Sequence, residues 1–515
     1  MKQLIAARVP CPDTRKWRVL LGVSIASFLG CLDFTIVNTV IPDIQANLHA
    51  TVGQSQWIIS LFLIALCACM VLAGRLADLY GRRLFLYLGM IAFGVSSLGA
   101  GCATNIDGLI AVRVVQGVSC AALYTASAAI ISNAFAEAER GKAMGVLFGI
   151  NGIGLAIGPV AGGMLVSAFG WRAIFLVNVP FIVLSFAICL SCVRESRNTV
   201  DRAAIDWRGL ILFVAALPAL LLGITQGMAW GWTSIKTWAC FGAAFVLFAQ
   251  LFRVERTAAS PIIDITLFFN REFIAAGTAT FFLAFFYCAA FFLMPLYLKV
   301  VGHFNDFRTG MMLLPTTAVM ALASPLVGRA TDRVGARPML VLGFLCFAAS
   351  AAMQAQFSEL ASLTGVVTSF ALMGLGWACI LGPSTVSALS SVPDHRGGVA
   401  MGATWTLHNL GGAIGVAVAT MVYQIFAKGW ISRVTATGAW DMPSGLAQSI
   451  AYNPAQAASQ FSAISDLAKV SDCVAHGFVY GYRASMYLLL AVSLVALCIA
   501  LAGKSSAPIP CGEHS

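Results

Sequence analysis

The chain has 515 residues, of which 59% are hydrophobic and only 10% charged, against roughly 45–50% and 25% in soluble domains. So little charge cannot coat a water-soluble fold of this length, and it excludes a disordered chain, a nucleic-acid binder and a secreted disulfide scaffold. The net charge of +10, from 31 Lys and Arg against 21 Asp and Glu, then bears on membrane orientation, and the expected fold class is an all-α integral membrane protein.

Five basic residues precede the first apolar run, at 19–41. That run is long enough to span and shows no small-residue cleavage site, so it reads as a retained helix rather than a signal peptide. Further spanning runs at 55–73, 84–103, 108–132, 143–167 and 172–193 complete a first group of six. A polar break, 194–208, leads to two runs at 209–227 and 236–252. Six more follow at 273–295, 308–327, 338–356, 362–390, 399–424 and 484–503, which makes fourteen. The segment 425–483 is the one long polar stretch, too polar for lipid and too short for an ordinary domain. The expected division is a six-helix bundle over 1–195, a linker with two inserted spans over 196–264, and a second six-helix bundle over 265–515 that carries the 425–483 loop outside the cytoplasm. Fifteen cysteines are scattered, many in apolar runs, and read as small apolar fillers. The one CxxC, Cys189 to Cys192, sits at the end of an apolar run and reads as helix packing.

With the N-terminus inside, 22 Lys and Arg fall in inner segments, 8 in outer ones, and Arg113 within a span. That bias places both termini in the cytoplasm. The chain also repeats itself. GRLADLYGRRL (74–84) returns as GRATDRVGARP (328–338), and Ala143, Met144, Gly145, Gly154 and Gly158 return as Ala400, Met401, Gly402, Gly411 and Gly415. Eight spans, an even number, separate the copies, so the repeat is parallel and both copies face the same side.

Two charges fall well inside the bilayer. Asp33 is about 13 Å from the outer end of span 1, and Arg113 about 9 Å from that of span 4, at 1.5 Å per residue. A lone charge there costs at least ~2.5 kcal/mol, so each should face the bundle interior and neutralise the other, directly or through water. Asp33 is the sole carboxylate that these span limits bury, hence the residue through which a proton could couple to transport. In span 5, Gly154, Gly158 and Gly162 recur on one face and admit a close helix, Gly163 follows them, and Pro159 permits a bend. Ordinary packing explains the glycines alone; the Gly158-Pro159 pair is more distinctive. In the segment 74–83, Gly74 and Gly81 allow a tight turn and Asp78 can cap a helix or pair with an arginine. Arg75, Arg82 and Arg83 sit at the headgroups, as a plain anchor or as a cytoplasmic latch that forms in one conformation and breaks in another. Phe281, Phe285 and Phe292 share a face of span 9 suited to greasy ligands, although core packing explains such a stripe more often. His408 and Asn409 in span 13 could line a cavity or bond helix to helix.

These motifs together resemble the major facilitator superfamily, and within it the fourteen-span drug:proton antiporters. GRLADLYGRR looks like the loop motif between spans 2 and 3. Arg113, Gln116 and Gly117 match the span 4 motif, whose arginine the family associates with proton movement. Gly154, Gly158, Pro159, Gly162 and Gly163 match the span 5 antiporter motif. LDFTIVNTVIP (32–42), Gln56-Trp57 and WRAIFLVNVP (171–180) look like signatures of the fourteen-span branch. Lys299 stands where that branch usually has glutamine, and His408-Asn409 where Arg-Gln is common.

The resemblance implies a proton-coupled exporter of hydrophobic or cationic compounds in a bacterial inner membrane, working by alternating access between two six-helix halves, with Gln116 joining the aromatic residues as a cavity candidate. Its partners would be a small-molecule substrate, protons and the lipid bilayer, with no nucleic acid. No catalytic triad, phosphate loop or metal-ligand spacing appears, so no enzyme, cofactor or metal is expected. Two alternatives stay open. An uptake symporter is disfavoured by the span 5 motif, and a component of an export complex with a periplasmic adaptor is compatible with the chain.

Overall fold

The computed structural model describes residues 13–50, 52–196, 206–256, 269–304, 306–358, 362–393, 396–436 and 467–502. Of the segments named above, the start of the chain, 197–205 of the linker and 437–466 of the long loop lie outside the described residues. Among the described residues the chain is all helix, with fourteen helices long and apolar enough to cross a membrane. They are α1 (Asp13–Leu48), α2 (Val52–Tyr80), α3 (Arg82–Gly101), α4 (Ile106–Ala134), α5 (Arg140–Phe169), α6 (Asn178–Cys192), α7 (Trp207–Trp230), α8 (Ile235–Glu255), α9 (Arg271–Val300), α10 (Asp306–Val334), α11 (Ala336–Gln354), α12 (Leu363–Ser390), α13 (Gly397–Ala436) and α14 (Leu467–Ala502).

Five of these helices start where a small polar residue satisfies the first free N–H groups. Asn105 accepts from the Gly108 amide at 2.7 Å, Asp206 from Gly209 at 3.0 Å, Asn270 from Glu272 at 2.9 Å and Ser362 from Gly365 at 3.1 Å. Span 6 is broken: one turn, Ala173–Leu176, precedes α6. Pro180 accounts for the break, because its ring clashes with the carbonyl four residues back and it has no N–H to give. The break brings Asn178, fully buried, into the bundle interior.

The contacts repeat with a shift of eight helices. The pairs α1·α5, α2·α4, α3·α4 and α1·α6 have counterparts in α9·α13, α10·α12, α11·α12 and α9·α14. Two seams join the halves, α5 against α10 and α2 against α13, and they too are related by eight. The inserted helices break that symmetry. α7 packs on α2 and on α13, covering one seam, through Leu210, Phe213, Leu217 and Leu221 against Ile64, Cys67 and Val71. α8 packs on α7.

Two boundaries differ from the sequence expectation. α13 runs on to Ala436 and α14 begins at Leu467, so helix occupies both flanks of the 425–483 loop. The early part of α14 reads as polar because only one face is covered. Cys473, Val474, Phe478 and Tyr482 are buried, with the Tyr482 hydroxyl donating to Gln354 Oε1 at 2.6 Å. The cysteines are free thiols among the described residues, and Cys189 and Cys192 are both buried in α6, in keeping with a packing role.

Close approach of α4 to α2 needs a glycine. A Cβ at Gly117 would overlap the Phe62 carbonyl oxygen, a backbone atom that cannot step aside, whereas one at Gly163 would meet nothing within 4 Å. Gly117→Ala is therefore expected to destabilise the first half by about 1–3 kcal/mol, and Gly163→Ala to be neutral or mildly stabilising. Thermal unfolding of the two variants in detergent measures the difference.

Candidate functional site

Asp33 of α1 and Arg113 of α4 meet in a direct ion pair, and neither has appreciable exposure. Four helices build the surroundings. Asp33 Oδ1 accepts from Gln116 Nε2 at 3.1 Å and from Asn178 Nδ2 at 3.2 Å, while Arg113 bonds Oδ2. Arg113 also donates to Gln116 Oε1 at 2.7 Å and to the Ile58 carbonyl at 3.3 Å, and its guanidinium lies 4.1 Å from the centre of the Phe62 ring. Gln116 reaches Ser97 of α3 at 2.9 Å. The spacing of Arg113 and Gln116, one helical turn apart, puts both on the face of α4 that meets α1. Gln116, expected as a cavity wall, instead bridges the ion pair. Asn178 lies in the WRAIFLVNVP stretch, but nothing in the sequence marks it as a site residue, since a single asparagine in an apolar run carries no signal of its own. Its Oδ1 is buried and has no hydrogen-bond partner among the described residues.

The span 5 glycines divide by face. A Cβ at Gly154 would stand 2.9 Å from the Phe28 carbonyl oxygen, and one at Gly158 would overlap Thr35 Oγ1, so these two seat α5 on α1 within a turn or two of Asp33. Gly162 is buried; Gly163 is exposed and packs on nothing. Pro159 lies within the helix, its side chain outside the described residues. Gly145 and Gly149 use the opposite face of α5, against Ser324 and Ala321 of α10, which the sequence pattern did not separate from the first set.

Segments 74–83 and 328–337 take equivalent places at the end of the bundle where α1 begins and α14 finishes. Asp78 Oδ1 pairs with Arg82 at 2.7 Å, and its Oδ2 accepts from the Val399 amide at 3.0 Å, at the start of α13 in the other half. Its repeat partner Asp332 accepts from Gly141 and Lys142 amides at 2.8 and 2.9 Å, at the start of α5. Each half thus caps a helix of the other, and α5 has no side-chain cap of its own. Gly74 and Gly328 let the backbones approach, the one against the Gly398 carbonyl and the other against that of Gly141. Gly81 has φ +126°, a conformation that favours glycine, and beside it Glu195 caps α3 by accepting from the Arg83 and Leu84 amides at 3.1 and 3.3 Å. Arg83 lies over Tyr87, with Nε donating to its hydroxyl at 3.1 Å, and Arg75 is half-buried.

A chain of rings crosses between the halves. Tyr124 of α4 stacks on Trp405 of α13 with centroids 5.6 Å apart and planes 20° apart. Trp405 meets Phe148 of α5 at 6.3 Å, Phe148 meets Trp377 of α12 at 6.5 Å, and Trp377 meets Tyr287 of α9 at 6.3 Å. His408 sets its ring edge-to-face on Trp405 at 5.1 Å. Three polar atoms here are buried without a hydrogen-bond partner among the described residues: Trp405 Nε1, Tyr287 OH and His408 Nδ1. Asn409 points elsewhere, donating to the Trp405 carbonyl at 2.8 Å and to Met70 Sδ of α2 at 3.3 Å, a helix-to-helix bond across the seam. The span 9 stripe also serves packing more than a cavity. Backbone at Phe281 and Phe285 meets Gly411 and Gly415 of α13, and Phe292 is 46% exposed. The ring of α9 that joins the cross-half chain is Tyr287.

The model of the Major Facilitator Superfamily matches residues 23–416. The multidrug resistance protein Stp of Mycobacterium tuberculosis is 35% identical over 401 residues, 78% of this chain and 74% of that one. The tetracenomycin C resistance and export protein of Streptomyces glaucescens is 29% identical, with 96% of this chain and 93% of that one covered. The probable multidrug resistance protein EmrY of Escherichia coli is 28% identical over 84% and 85%. Among solved structures, the human organic anion transporter MFSD10 (TETRAN) aligns with a TM-score of 0.62 over 95% of this chain and 100% of that one, at 15% identity, a likeness of fold.

The exchanged caps are testable at this end. Asp332→Ala removes both acceptors from α5, at about 0.5–2 kcal/mol for a lost cap. A thiol introduced by Lys142→Cys should then react with maleimide roughly two- to thirtyfold faster than with Asp332 in place. Asp78→Ala should loosen the seam more, because buried Arg82 also loses the carboxylate it pairs with. Reaction rates indifferent to both changes would mean that the caps do not hold the halves together.

Proposed function

The chain belongs to the major facilitator superfamily, transporters rather than enzymes, and we propose that it is a proton-coupled multidrug exporter. In this reading it sits in a bacterial inner membrane with both termini in the cytoplasm. It moves hydrophobic or amphiphilic compounds outward in exchange for protons, by alternating access between its two halves. The names of its relatives, three of which speak of drug resistance or export, support the direction of transport.

The single observation that carries the proton part is the buried cluster at Asp33. A carboxylate out of contact with water must be compensated or protonated, and this one can be either. Ionised, it has Arg113, Gln116 and Asn178 as donors. Protonated, its new O–H needs an acceptor, and a half-turn of the Asn178 amide would present the Oδ1 that now lacks a partner. Arg113 would meanwhile keep the Ile58 carbonyl, Gln116 Oε1 and the face of Phe62, so its N–H groups keep acceptors while its charge loses its counter-ion, a cost that hydration of the opened site would offset. The exchanged caps give the cycle its two-state element: formed, they close the cytoplasmic end; broken, they let it open. A single proton driven by ~100 mV supplies about 2.3 kcal/mol, which sustains a gradient of roughly 40-fold.

The reading is tested by drug accumulation in pump-deficient cells, with and without a protonophore, across lipophilic cations and neutral drugs. Expression should lower accumulation, and the protonophore should restore it. Accumulation unchanged across the panel would remove the exporter assignment. On purified protein, Asp33→Asn should abolish proton release on drug addition, while Asp33→Glu keeps part of it. Arg113→Lys should be milder than Arg113→Ala, since a positive charge remains without the fork geometry. Equal proton release from wild type and Asp33→Asn would leave the ion pair as a structural tie between α1 and α4.

A further inference from the structure

We propose that Tyr124 and Trp405 are the two jaws of a substrate site for planar, uncharged aromatic compounds that carry both a hydrogen-bond acceptor and a donor. Tyr124 would report occupancy of that site to Asp33. The proposal rests on the exporter reading and adds to it a substrate class and a coupling residue.

Planarity follows from the jaws. The two rings lie nearly parallel, one from each half. A flat ring system entering between them exchanges one stacked contact for two, on the offset face-to-face geometry that aromatic pairs favour. A bulky tetrahedral ion cannot use that slot.

Polarity follows from the unpartnered atoms. A buried donor or acceptor left unmade costs about 1–3 kcal/mol, and such groups call for an explanation. Here three lie along one run of rings, two on Trp405 and His408, which touch, and the third on Tyr287, 8% exposed and three ring contacts from Trp405. The indole N–H seeks an acceptor, and His408 Nδ1 or the Tyr287 hydroxyl can meet a donor.

The absence of formal charge follows from what surrounds the buried carboxylate. Asp33 already accepts from Arg113, Gln116 and Asn178, and the charge of Arg113 cancels its own, so no net negative charge is set aside for a cationic guest. Cation–π contact with these rings would return about 0.5–2 kcal/mol, which falls short of dehydrating an ion without a counter-charge.

The link to Asp33 is short. The Tyr124 hydroxyl donates to Cys31 Sγ at 3.5 Å, two residues before Asp33. A Cβ at Gly30 would stand 2.7 Å from that same oxygen, so the hydroxyl rests directly on the α1 backbone. A guest that parts Tyr124 from Trp405 presses or releases α1 within one turn of the carboxylate. Tyr124 is thus a positioning residue for the proton.

The test uses full-length protein in detergent with two probes. Acridone is flat and uncharged, with one C=O and one N–H; tetraphenylphosphonium is bulky and cationic. Binding is followed by tryptophan fluorescence, and protons released are counted per probe bound. Wild type should bind acridone, and Trp405→Leu should weaken it by at least about tenfold. Trp405→Phe, which keeps a ring but no N–H, should cost less and guards against a misfolded leucine variant. Tyr124→Phe should hold acridone to within roughly threefold, yet release fewer protons per acridone bound. Wild type that binds tetraphenylphosphonium but not acridone overturns the site and leaves the exporter reading standing. Equal acridone affinity in wild type and both Trp405 variants also overturns the site. Undiminished proton release from Tyr124→Phe overturns the link to Asp33. Binding of acridone at Trp405 with no proton release from wild type would keep the site and sink proton coupling instead.

Discussion

Hydrocarbon offers no hydrogen bonds, so a charge inside the bundle, or a helix end packed against it, must find its partner within the protein. Asn105, Asp206, Asn270 and Ser362 answer that demand locally, each at the start of its own helix. The starts of α5 and α13 are answered from across the molecule, by Asp332 and Asp78. The same demand draws Arg113 to Asp33, and fixes Gln116 and Asn178 around them. The architecture can be read as the set of solutions to this one constraint.

One helix gathers most of the chemistry. Along α4 lie Arg113 and Gln116 at the ion pair, then Tyr124 two to three turns further at the jaw against Trp405. A rigid rod that carries both the proposed proton site and a wall of the cross-half aromatic chain would transmit a shift at one to the other. α1 runs beside it with Cys31 and Asp33 in the matching order. Closeness here depends on glycines at Gly30, Gly154 and Gly158, where backbone stands in for side chain.

Much of this was legible in the sequence, for reasons that differ residue by residue. Spanning helices declare themselves through length and apolarity, and fourteen were expected and are present among the described residues. Asp33 and Arg113 stood out because charge inside an apolar run is rare. The parallel repeat announced the symmetry of Asp78 and Asp332, although not that each would cap a helix in the opposite half, since spacing says nothing of which helix end lies across a seam. Tyr124, Phe148, Trp377 and Trp405 were silent, because an aromatic residue in a membrane helix looks like any other apolar side chain until its neighbours are known. The Phe281 stripe is ambiguous in sequence for the same reason: the glycines it packs on are 130 residues away in the chain. The early turns of α14 were taken for loop because one polar face lowers the mean hydropathy of a helix whose other face is buried.

The exchanged caps also fix an energy scale. If each is worth about 0.5–2 kcal/mol, the pair favours the closed end by roughly fivefold to a thousandfold. A proton crossing ~100 mV carries about 2.3 kcal/mol, inside that same interval. In the proposed cycle, several more such bonds would hold the end shut against the proton's driving force, whereas two carboxylates, one from each half, set a threshold that a single ion could cross.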